Sequence, residues 1–314
     1  MSEISASVKT LAADESAVLR CVLYFSLFSY PLQPNEILEN CSVNCEPHRF
    51  SEILETLCAN GLLKRSGEFY LCKDADEKTI SRRLVGNAGA ASVMGIAFRY
   101  SKTIATFPFV RGVFLSGALS KNYYDDKGDI DYFIVTTPGR LWICRTLLIL
   151  RYKMLPANKK KFWCVNYFIS SDNLVIPDQN VFTATEIAYL IPACNYELYR
   201  MFMNCNRWYS SFYPHKSTAS AGQCTQEKRG LVKKLAEACF YGWGNVFDDF
   251  LLRITLKNWQ KKYPYMRTED FELQFRSRKN VCKRHNTGFQ NKVLEQWHHK
   301  IKTYERDHNI LLSV

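Results

Sequence analysis

The chain has 314 residues, 47% of them apolar and 14% aromatic, enough to bury substantial cores, which excludes an intrinsically disordered protein. Forty-two Lys and Arg against 30 Asp and Glu leave a formal charge of +12, which favours nucleotides, nucleic acid or another anionic partner. Twelve cysteines scattered singly through apolar segments read as reduced core residues, so a cytoplasmic protein with no membrane partner is expected; the most apolar stretch, residues 141–150, is interrupted by Arg145.

In chain order, Asp14 or Ser16 is the expected cap of a first helix that carries Val18, Leu19, Val22, Leu23, Phe25 and Leu27 toward Tyr30-Pro31. Residues 33–40 predict a short second helix. Residues 47–60 place Phe50, Ile53, Leu54 and Leu57 at helical spacing with Gly61 as C-cap, which predicts a third. Residues 62–71 then read as a hairpin turning at Ser66-Gly67. Three helices and a hairpin spell a winged-helix-like module over residues 1–80. DNA binding through its third helix has Arg49 and Arg65 in favour and Glu46, Glu52 and Glu55 against; an accessory or substrate-presenting role is the alternative. Cys41, Cys45 and His48 are zinc-ligand types, but no second pair follows at ligand spacing.

Residues 78–107 predict a helix stopped by Pro108 and leading into a strand at 113–115. The stretch 113–135, VFLSGALSKNYYDDKGDIDYFIV, joins two apolar runs through a polar loop. On a strand, side chains at i and i+2 leave the same face roughly 7 Å apart, so Asp129 and Asp131 can lean onto one hard cation while Ile130 points into the sheet. Gly117 lets the backbone approach an anion closely, and Ser116, Ser120 and the turn N–H groups can hold phosphate oxygens. After a turn at Pro138-Gly139, residues 141–154 predict a helix whose Arg140, Arg145, Arg151 and Lys153 are candidates to reach a triphosphate. Residues 162–169 predict a third strand.

This pattern resembles the nucleotidyltransferase fold of the DNA polymerase β superfamily, marked by a Gly-Ser pair after the first strand and Asp-x-Asp on the second. The resemblance covers residues 84–169. It implies an α/β (α+β) nucleotidyltransferase-like domain with a small mixed sheet over residues 81–180. Asp129 and Asp131 match the metal carboxylates, Gly117 the glycine, and Ala118 stands where the family has serine, so the hydroxyl would come from Ser116 or Ser120. The best-placed position for the family's third carboxylate is Asn166, an amide that can ligate a cation or orient a hydroxyl but is a poor base.

What the resemblance implies is metal-dependent transfer of an NMP from an NTP to an acceptor hydroxyl on a protein, an RNA or a small molecule. Asp129 and Asp131 would hold Mg²⁺ or Mn²⁺, Asn166 would complete the catalytic set, and Ser116, Gly117, Ser120 and Lys121 would cradle the phosphates. The alternative is a weak or inactive member serving as a nucleotide- or nucleic-acid-binding module; a nuclease using the same carboxylates is a third reading.

Residues 181–314 are expected to be mostly helical and basic. Thr183 to Glu186 spells a capping box, Pro192 breaks the helical stretch that runs to 212, and residues 217–226 read as a linker. Residues 228–262 predict one long amphipathic helix with Leu231, Leu235, Phe240, Val246, Phe250, Leu251 and Ile254 on its buried side. From 253 to 307 there are 14 Lys and Arg against six Asp and Glu. Arg276, Arg278, Lys279, Lys283, Arg284 and Lys292 there suggest a nucleic-acid contact, with a solvated helical face as the alternative.

Overall fold

A computed structural model describes residues 8–43, 45–227, 230–265, 277–283 and 288–313. Arg276 and Arg284 of the basic C-terminal set, and Lys228 at the start of the expected long helix, lie outside the described residues.

The chain is a mixed α/β protein organised on one six-stranded mixed sheet. Its strands are β4 (Val110–Ser116), β5 (Asp131–Thr136), β6 (Cys164–Ser170), β7 (Ile191–Cys194), β8 (Ser277–Arg278) and β9 (Val281–Lys283), in the spatial order β7-β4-β5-β6-β9-β8. β4 and β5 pair antiparallel. β5 and β6 run parallel, which requires a crossover, supplied by α6 (Leu141–Met154) and the single-turn α7 (Ala157–Lys160).

Period-two alternation sends neighbouring side chains to two cores. Val113, Leu115, Tyr132 and Ile134 face α4 (Lys78–Ala105) and α6, joined from outside by Trp259 of α11 (Gly244–Lys262). Phe114, Phe133 and Val135 face α8 (Val181–Ala188), α9 (Tyr196–Cys205) and the 3₁₀ turn Arg207–Ser211.

A third core builds the N-terminal unit from α1 (Ala13–Ser26), α2 (Pro34–Glu39), α3 (Pro47–Ala59) and the hairpin β2 (Leu63–Ser66) with β3 (Phe69–Cys72). Gly61, at φ +69°, ends α3: its N–H donates to Cys58 O and the N–H of Leu62 reaches back to Leu57 O, both at 2.9 Å. The hairpin turns at Gly67-Glu68, one residue later than expected. The last helix, α12 (Phe289–His308), contributes Val293, Ile301 and Tyr304 to this core. After it, β10 (Ile310–Leu311) pairs in parallel with β1 (Lys9–Thr10).

Several sequence expectations are corrected. Neither Asp14 nor Ser16 caps α1: the N-cap is Ala12, whose N–H is taken by Glu15, while Asp14 holds Arg49 at 2.8 Å and Ser16 is buried against Ser313. Pro192 does not interrupt a helix but sits in β7, an edge strand, where a missing N–H costs no ladder bond. Residues 217–226, expected as a linker or flexible loop, are a surface loop without helix or strand that is tied down at its end, where Thr225 bridges Cys194 and exchanges backbone hydrogen bonds with Ala193 and Asn195. The expected long helix is two, α10 (Leu231–Ala238) and α11, broken at Gly242 with φ +84°. Of the side chains expected on the buried side, Phe240 and Leu251 do pack against the sheet core and the other five do not. Leu231, Leu235, Val246 and Phe250 are exposed, whereas Lys233 is buried with its Nζ donating to Val110 O at 2.6 Å and Ala105 O at 3.0 Å. No helix among the described residues is long and apolar enough to cross a membrane.

Candidate active site

β4 delivers Ser116 and Gly117 to one end of the sheet. There the chain turns at Gly117, φ +68°, into the single-turn α5 (Gly117–Ser120). In register, Ser116 faces Asp131, the first residue of β5, and Asp131 faces Cys164 of β6. The approach of Gly117 to Asp131 is close enough that a Cβ at 117 would stand 2.2 Å from the Asp131 Oδ2. On the other side Asn166 Nδ2 donates to Asp131 Oδ1 at 2.5 Å, and the Cys164 thiol donates to Asn166 Oδ1 at 3.2 Å. Thus the amide expected to stand for a third carboxylate is bonded to the second.

These residues open into a cavity of about 800 Å³. Ser116, Gly117, Ser120, Lys121, Asp131 and Asn166 all line it; Asp129 does not. The strand starts at Asp131 and not at Asp129, which sits exposed on the approach to it, with Ile130 buried between the two. Asp129 still acts on its neighbour, as its charge helps to raise Asp131. Two expected phosphate ligands are already engaged: Ser120 Oγ donates to Gly117 O at 2.9 Å, and Lys121 Nζ stands 3.0 Å from both Gly117 O and Glu186 Oε1. Arg140 and Arg145 are turned elsewhere. Arg140 bonds Asn245, and Arg145 lies buried between the rings of Trp142 and Trp259.

The electrostatics follow from this crowding. Asp131 keeps part of its surface in the cavity, but its carboxyl is enclosed by protein, and that burial pushes its pKa up to about 7. The negative charges of Glu186 and Asp129 push the same way, against the Cys164 thiol and Lys121. Burial also raises Asp129, opposed by Lys161. The Cys164 thiol is raised by burial and by both aspartates, so it remains a neutral donor.

As the side chains stand, the expected donor oxygens are not gathered on one point: Asp129 lies outside the cavity, and Asn166 turns its Nδ2 to Asp131 and its Oδ1 to the Cys164 thiol, so a hard cation between them would require the Asn166 amide to turn over. Among the described residues no group of three or more His, Cys, Asp or Glu side chains is gathered in metal-binding geometry.

Glu186 was missed in the sequence because its spelling matched a capping box. The cap of α8 is instead Asn180, whose side chain accepts the Thr183 N–H at 3.0 Å; the helix therefore starts earlier and Glu186 lies in its last turn, facing Lys121. Tyr189 and Lys216 also line the cavity, and Lys216 Nζ lies 4.0 Å above the Tyr189 ring. No signal in the sequence brings residues 121, 186, 189 and 216 together.

Set against known protein families, curated proteins and solved structures, the chain gives no match.

Proposed function

We propose that the chain is a nucleotidyltransferase-fold protein, with a winged-helix-like unit before it, that binds a nucleoside triphosphate at the Gly117–Asp131 edge and moves its NMP to an acceptor hydroxyl. The observation that carries this reading is the meeting of Gly117, Asp131 and Asn166 at one cavity wall on three adjacent strand ends. Asp131 and Asp129 would hold Mg²⁺ or Mn²⁺, and Asn166 would join them once its amide turns its oxygen away from the Cys164 thiol. When bound, the cation would neutralise the triphosphate and the charge that builds on the leaving pyrophosphate.

The chain's own groups have definite tasks in this scheme. Gly117, with no side chain, admits phosphate oxygens to the backbone N–H groups, and Ser116 adds a hydroxyl; α5 is a single turn, so its dipole adds little. Lys121 would exchange its Glu186 partner for a phosphate oxygen. The acceptor oxygen forms its bond to the α-phosphorus, the bond to the bridging oxygen breaks, and the acceptor proton passes to a carboxylate. Asn166 cannot take that proton. Glu186 would take it once Lys121 has left for the phosphate, whereas Glu36 stays held by Arg83 and Glu39 by Lys216.

Asn166 also favours a second reading, a fold member that binds Mg²⁺-NTP without turnover. Titration calorimetry of MgATP and MgGTP, paired with transfer of α-labelled nucleotide, separates the two. Binding that is lost in Asp131→Asn supports the site; label transfer supports the enzyme, and its absence with binding intact supports the module. No Mg²⁺-dependent binding of any NTP would dispose of both. DNA recognition through α3 gains no support, because Arg49 is tied to Asp14 and Glu52, and Arg65 to Gly67 O.

A further inference from the structure

The cavity extends well past the strand ends. Its far wall belongs to the N-terminal unit, which contributes Tyr24, Phe25 and Tyr30, and α8 with the residue after it adds Phe182 and Tyr189. Two carboxylates on this wall are paired with cations, and Arg82, which also lines the cavity, donates to the Tyr123 hydroxyl at 3.1 Å. Glu36 is gripped by Arg83 through both oxygens, at 2.5 and 2.6 Å, and Glu39 by Lys216 at 2.7 Å.

The wall is also fixed in place. Arg83 is only 4% exposed, its guanidinium 4.3 Å from the Tyr30 ring centroid and 4.8 Å from that of Phe69, and swinging the unit away would strip it of both rings, the Pro31 carbonyl and the Glu36 carboxylate together. Asn40 Nδ2 donates to the Tyr189 hydroxyl at 2.7 Å across the same junction. A volume of about 800 Å³ lies within the usual range for small-molecule sites.

We infer that this cavity receives the acceptor, and that the acceptor is a small, uncharged, hydroxylated molecule with an aromatic or other apolar body, not an RNA end or a protein side chain. The inference rests on the nucleotidyl-transfer reading for the use of the site, while the ligand chemistry rests on the wall itself. An RNA would need a row of unpaired cations along its path to meet successive phosphates, whereas Lys121 and Lys216 are paired with carboxylates and Arg82 lies against Tyr123. An apolar body gains by covering the aromatic wall, and the hydroxyl is the group that the transfer itself requires.

The test uses 2-naphthol, a hydroxylated aromatic, with the full chain. Its fluorescence is titrated with protein, and MgATP and MgGTP binding are measured in parallel by calorimetry. Saturable 2-naphthol binding is expected, weakened about tenfold by Leu27→Trp, which fills the cavity from the N-terminal wall, and several-fold by Phe28→Ser, which removes aromatic surface from that wall, with melting curves showing both variants folded. Label transfer from α-labelled NTP is then offered three acceptor pools: small hydroxylated aromatics, total RNA and denatured protein. Label in the first supports the inference. Label in RNA or protein overturns it, as does a lack of saturable 2-naphthol binding or binding indifferent to both variants. If 2-naphthol binds as expected while no Mg²⁺-NTP does, the nucleotide reading fails and the cavity stands as a small-molecule site.

Discussion

The α-carbon of Gly117 and the carboxylate of Asp131 touch, leaving no room for even a methyl group between them. Left-handed backbone and close approach converge on one residue, so Gly117→Ala should suffer twice. The loss in urea unfolding should be about 1–3 kcal/mol, and the side chain of Asp131 should be displaced from Asn166. A variant as stable as the wild type would contradict the geometry; Mg²⁺-NTP affinity measured on the folded fraction reports the functional half.

Asn166→Asp places a second carboxylate within hydrogen-bond reach of Asp131, where like charges cannot both ionise cheaply. Above pH 8 the variant should melt several degrees lower than wild type, and millimolar MgCl₂ should restore it more than it raises wild type. Melting curves with and without Mg²⁺ decide this. Equal Mg²⁺ responses in both proteins would argue against a cation between Asp129 and Asp131.

The ion pair of Arg83 and Glu36 fastens the N-terminal unit to α4. Removing Glu36 strands a guanidinium that is almost wholly enclosed, so Glu36→Ala should cost about 3–5 kcal/mol. The double variant Glu36→Leu/Arg83→Met should recover most of that loss, because it removes both charges and keeps the volume. Chemical denaturation of the three proteins forms the cycle that measures it.

Asp248 on α11 has no exposed surface and accepts the N–H of Ile143 in the first turn of α6 at 2.9 Å, while its second oxygen has no partner among the described residues. Burial pushes its pKa up to about 6 from an ordinary 3.8, against the backbone hydrogen bonds. The folded state therefore holds the proton more tightly than the unfolded one, so this group's contribution is best below about pH 4 and falls as pH rises to about 6. The fall should be on the order of 1–3 kcal/mol. Asp248→Asn, which keeps the acceptor and cannot ionise, should flatten that slope, whereas Asp248→Ala should lose the cap, about 1 kcal/mol, at every pH. Stability of the three proteins between pH 4 and 7.5 provides the check.

What could be read from the sequence was what is decided locally. Helix α3 with its glycine stop, the hairpin after it, α4, α6 and the strands around Gly117 and Asp131 follow from spacing, caps and turns within a dozen residues. What could not be read was decided by partners far along the chain. Pro192 looks like a helix breaker until β4 offers it an edge. Lys233 looks like the polar face of α10 until the carbonyls of Ala105 and Val110 claim it, which turns Leu231 and Leu235 outward. Likewise Glu186 enters the cavity only because Asn180 moves the start of α8. Within the candidate site, residues 116–131 sit on one local motif, whereas the opposite wall is assembled from segments more than 50 residues away in sequence on either side.

The pairing of Lys9–Thr10 with Ile310–Leu311 has a consequence for refolding. Ile301, Tyr304, Ile310 and Leu312 are wedged among the side chains of α1 and its neighbours, and Ser16 meets Ser313 across 297 residues of sequence, so this core closes only when two distant segments have found each other. Contacts of such long range are slow to form, and until they do the apolar side of α1 stays uncovered, which makes this unit the one most prone to aggregate.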